Sequence, residues 1–86
     1  MVALIDLLQK EKKAISNIEM LTMSQQVSRV NIEVLRIIGV DPDDERLKET
    51  TTDLQRTEVE LRANQIVLKA VRNEILAYFT SIKEET

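Results

Sequence analysis

Cysteine and histidine are both absent from this 86-residue chain. Their absence rules out disulfides, the usual zinc ligands, and the Cys–His or Ser–His pairings of nucleophilic catalysis. Tryptophan is also missing, and Tyr78 and Phe79 are the sole aromatics, too few for a base-stacking platform. Glycine and proline occur once each, so no Gly-rich phosphate loop can form. No run of about 18 apolar residues exists to span a bilayer. The opening Met1-Val2-Ala3-Leu4-Ile5-Asp6 lacks the basic and apolar regions of a signal peptide. A cytoplasmic protein, or part of a large assembly, is the expectation. Neither sign of charge dominates. Residues 1–40 carry five Lys/Arg and four Asp/Glu (+1), and residues 41–86 carry seven and eleven (−4), for a net −3. Lys10, Lys12 and Lys13 form the sole basic cluster, weak grounds for phosphate binding.

What is present is helix. Gly39 suits the residue just past a helix end, where a left-handed backbone costs it nothing. Asp41 and Pro42 read as N-cap and first residue of a second helix. The spacing predicts helix 1 over about 2–38, a turn over 39–41 and helix 2 over about 42–83. So short a link makes the helices antiparallel. The fold expected is all-α: a single coiled-coil-like helical hairpin.

Helix 2 has a clean period of seven: Leu47, Leu54, Leu61, Leu68, Ile75 and Ile82, with Thr50, Thr57, Asn64, Val71 and Tyr78 as companions. Asn64 can set register at a seam position, and Thr50-Thr51-Thr52 is either a soft turn or an exposed face. In helix 1, Met20, Met23, Val27, Val30, Val34 and Ile37 alternate steps of three and four, which reads as its seam. Leu21, Ile32, Leu35 and Ile38 fall beside it. The stripe before them, Leu4, Leu8, Ile15 and Ile18, is phased differently, which predicts a bend or a change of neighbours near Ile18.

Antiparallel pairing sets the broad segment Val30–Ile38 against the thin seam Leu47–Leu61, and the broad segment Ile66–Phe79 against the Lys-rich part of helix 1. Each helix then keeps apolar surface its mate cannot cover. A chain this small secures only about 3–5 kcal/mol from its own core. Association is therefore expected, as a four-helix bundle or larger assembly, through Val27, Val30, Val34, Ile37, Ile38, Ile66, Val67, Val71, Ile75 and Phe79, with Gly39, Asp41 and Pro42 shaping the turn.

Asp41-Pro42-Asp43-Asp44-Glu45 is the densest carboxylate group but lacks the twelve-residue ligand pattern of a calcium loop, so capping is the expected role. Glu19, Glu33, Glu58, Glu60 and Glu74 lack the histidine partners of a di-metal bundle site. No enzyme, cofactor, metal or small-molecule substrate is expected. Val71-Arg72-Asn73 with Ala77-Tyr78 resembles the C-terminal helix of flagellar rod proteins, and a hairpin with Asp-Pro at its turn resembles the needle subunits of type III secretion. That resemblance implies a polymerising subunit. The residues themselves point first to a non-enzymatic interaction or scaffold protein, such as an adaptor, chaperone or regulator, whose partner is a second copy or another helical protein. The alternatives are a polymerising structural subunit of a secretion or virion-type assembly, and a small nucleic-acid-binding bundle.

Overall fold

A computed structural model describes residues 3–85, and the side chains of residues 3–83. Helix α1 runs Leu4–Ile37 and helix α2 runs Glu45–Glu85, 34 and 41 residues long. They pack along each other as an antiparallel hairpin, 66 × 15 × 15 Å in extent. The radius of gyration, 19.3 Å, far exceeds the roughly 12 Å of a compact chain this long. Among the described residues the molecule is a rod one helix pair thick. Val2, expected within helix 1, lies outside the described residues.

The turn is longer than its sequence suggests. Gly39 adopts φ +80°, its N–H donates to the Arg36 carbonyl at 3.1 Å, and the Val40 N–H reaches the Leu35 carbonyl at 3.1 Å. These paired bonds close α1 in a Schellman motif. Helix 2 does not begin at Pro42 with Asp41 as its cap. The Asp44 N–H donates to the Asp41 carbonyl at 2.9 Å, and the Asp43 N–H to Asp41 Oδ1 at 2.8 Å. Residues 41–44 are thus a β-turn with Pro42 at its second position, where a fixed φ is favoured. Asp44 is the cap. Its Oδ1 accepts the Arg46 N–H at 2.8 Å, and its carbonyl accepts the first helical bond, from Lys48, at 3.1 Å. Two aspartates three apart compete for the cap, and the one nearest the unbroken periodic segment takes it.

The α2 seam contains Leu47, Leu54, Leu61, Leu68 and Ile75, with Thr50, Thr57, Asn64, Val71 and Tyr78, all buried or half-buried. Ile82 is exposed. Glu11 stands beside Arg72, which sets Leu4 level with about residue 79, so α2 outruns the start of α1. The α1 seam corrects the sequence reading. Facing α2 are Leu4, Leu7, Glu11, Ala14, Ile18, Leu21, Gln25, Ser28, Ile32 and Leu35, an unbroken three–four alternation. No change of phase occurs near Ile18. Glu11, Gln25 and Ser28 hide this seam from an apolar count, whereas Met20 to Ile37 form an uninterrupted apolar series that points away from α2.

Polar seam positions find partners. Asn17 Nδ2 donates to Asn64 Oδ1 across the pair at 3.2 Å, while Asn64 Nδ2 donates to the Glu60 carbonyl at 2.8 Å. Arg72 Nε donates to Glu11 Oε2 at 3.1 Å. The Thr50, Thr51 and Thr57 hydroxyls bond back to carbonyls four residues earlier at 2.8 Å, and α2 continues through them without a break.

Candidate interaction surface

Among the described residues only Leu7, Ala14, Ile32 and Val71 are buried. Larger apolar side chains stay outside. A heptad places seam residues on one side of a helix and two intervening positions on the opposite side. On α1 those opposite positions are occupied from Met20 onward by Met20, Met23, Val27, Val30, Val34 and Ile37, all exposed, with Ile37 at 78%. The outer stripe therefore runs through five helical turns, about 26 Å. On α2 the equivalent positions carry Val59, Ala63, Ile66, Ala70, Asn73 and Ala77, also exposed.

These stripes differ in place and direction. Arg29 pairs with Glu58 at 3.6 Å, so the end of α1 lies along the first half of α2. The α1 stripe accordingly occupies the turn end of the rod, and the α2 stripe the open end. Because each lies opposite its own seam, they face away from each other. A third apolar group, Ile5, Leu8, Leu76 and Phe79, falls on one side of the open end by register, all four exposed. Tyr78 and Phe79 meet edge to face, centroids 5.8 Å apart.

Of the expected interface residues, Val27, Val30, Val34, Ile37, Ile38, Ile66, Val67 and Phe79 are exposed. Val71 and Ile75 lie instead in the hairpin's own seam. Val71 is 6% exposed and Ile75 half-buried, because both occupy the seam against α1. The outward series Val59–Ala77 escaped sequence reading because three of its members are alanine, which blends into any helix surface.

Charges border the stripes in rows. Along one edge of the α1 stripe lie Glu19, Gln26 and Glu33, and along the corresponding edge of the α2 stripe lie Arg62 and Lys69. None of these charged groups is held in an ion pair among the described residues. Lys10 and Lys13 share one side of α1 while Lys12 lies on another, so the basic cluster does not make a single face. No group of three or more acidic side chains converges to hold a metal among the described residues.

At the turn, the Arg46 guanidinium reaches both Asp44 oxygens, Nε to Oδ1 and Nη2 to Oδ2, each at 3.2 Å. This hydrogen bonding, followed by the Arg46 backbone N–H, holds the Asp44 carboxyl below its ordinary value of 3.8. The same carboxylate raises the pKa of Arg46. The pair locks the start of α2; it is a structural device.

The arrangement defines an elongated two-helix hairpin with exposed apolar faces. No described helix is long and apolar enough to cross a membrane. No family model, curated protein or solved structure matches the chain.

Proposed function

We propose that this chain is a non-enzymatic interaction and scaffold protein that acts by self-association through its outward helix faces. The continuous exposed stripe Met20–Ile37 supports this reading most directly. Fully burying a side chain of this kind is worth about 1.5–3 kcal/mol, and six in a row exceed the few kcal/mol that a two-helix core supplies. Contiguous apolar surface of this length marks a protein contact, and its three–four spacing fits another helix.

The opposed directions of the two stripes favour a structural, polymerising subunit as the second reading. A contact between one stripe and the other is heterologous, and heterologous contacts build rings or filaments. Wild-type protein should show a mass in sedimentation that exceeds one chain, and Val34→Asp should reduce it. A wild type that remains one chain at millimolar concentration removes the proposal.

A further inference from the structure

We propose that the outer stripe of α1 in one copy docks antiparallel on the outer stripe of α2 in a second copy, so that copies add head to tail along staggered rods. The inference rests on the self-association reading and specifies its partner surface.

Two observations select this pairing over like-with-like contacts. The first is charge. In an antiparallel helix pair, corresponding edges of the two apolar seams face one another. If α1 meets α1, the edge carrying Glu19 and Glu33 faces its own copy. If α2 meets α2, Arg62 and Lys69 face themselves on one edge, and Glu60 and Glu74 do so on the other. If α1 meets α2, the edge carrying Glu19, Gln26 and Glu33 faces the edge carrying Arg62 and Lys69, while the edge with Glu60 and Glu74 faces the uncharged Ser24 and Asn31. All these side chains are exposed, and among antiparallel pairings α1 with α2 alone sets opposite charges together without a like-charged edge.

The second is shape. The α1 stripe is large at every position from Met20 to Ile37, whereas the α2 stripe alternates Val59 and Ile66 with Ala63 and Ala70. With Val27 level with Ile66, Val34 meets Val59, while Val30 and Met23 meet Ala63 and Ala70. Large residues thus oppose small ones in alternate layers. In the same register Glu33 falls beside Arg62, and Lys69 beside the uncharged Gln26.

This register differs from the one inside the hairpin. Glu11 beside Arg72 puts Val27 level with residue 56 of its own α2, about ten residues from its mate in the next copy. Successive rods are therefore offset by roughly 15 Å along their length. Since the two stripes point in opposite directions, one pairing leaves a free stripe at each end, and assembly continues.

Mixing of singly blocked chains tests this. Val34→Asp blocks the α1 stripe and Ile66→Asp the α2 stripe, and both positions are exposed in the hairpin, so helicity by circular dichroism is expected to persist. Each variant alone should sediment as one chain, and an equimolar mixture should give a two-chain species that grows no further. Glu33→Lys in the Ile66→Asp chain should weaken that species about two- to fivefold, as for an exposed ion pair. Arg62→Glu in the Val34→Asp chain should restore it. If either variant dimerises alone, like-with-like docking overturns the inference while leaving self-association intact. If the mixture stays single while wild type associates, the inference is also overturned. A wild type that never associates defeats the underlying reading itself.

Discussion

Asp44 shows how one side chain can decide where a helix starts. Its carboxylate caps α2 and grips Arg46 twice. Because its folded pKa is lowered, its stabilisation is fully present above the ordinary carboxylate range. It is lost as pH falls through the lowered folded value. Asp44→Asn, which can still cap but has no charge to titrate, should flatten the acid limb of thermal midpoint against pH below about pH 4. Asp44→Ala should lower the midpoint at neutral pH, whereas Asn should keep most of it. An unchanged acid limb in Asp44→Asn would disprove the role. Gly39 is constrained by backbone alone. A Cβ there would meet nothing within 4 Å, yet φ +80° disfavours any L side chain. Gly39→Ala should therefore destabilise by about 1–2 kcal/mol, read from urea denaturation at low protein concentration. A neutral result would mean that the turn tolerates another path.

Within α1, two isoleucines five residues apart have opposite fates. Ile32 is 8% exposed in the seam, and Ile37 lies outside. Ile32→Ala should cost about 2 kcal/mol in dilute hairpin, and Ile37→Ala about none, by thermal denaturation. Equal effects would mean that the described seam is wrong. The sequence of α2 was legible because its leucines recur every seven residues with polar sites elsewhere. The α1 sequence misled for a physical reason. Its real seam includes Glu11, Gln25 and Ser28, tolerated because a pair of helices leaves its seam half in water and lets Glu11 reach Arg72. The richer apolar series, Met20 to Ile37, took the outer face. Apolar density marks where burial would be most favourable, and in a two-helix rod that place need not lie within the chain.

For the whole molecule, a 66 Å rod with its seam half-exposed has little cooperative core, and association would supply what folding does not. The proposed self-association makes stability depend on concentration, because binding to the folded state shifts unfolding by mass action. The thermal midpoint should rise measurably between micromolar and hundreds of micromolar protein, and Val34→Asp should abolish the rise. A wild-type midpoint independent of concentration would count against assembly. Antiparallel pairing also determines which halves of the helices are neighbours, and so places surplus apolar surface at opposite ends of the rod.

The sequence alone determined two long helices, a turn around Gly39 and Pro42, and the α2 seam, since these follow from local backbone preference and a period of seven. The cap at Asp44 was decided by which hydrogen bonds the turn could close. The choice of α1 face was decided by tertiary packing. Two apolar or semi-polar faces were available to α1, and selection between them depended on its fit to α2, including the Asn17–Asn64 and Glu11–Arg72 bonds. Periodicity identifies faces that can be buried; only a neighbouring element determines which one is.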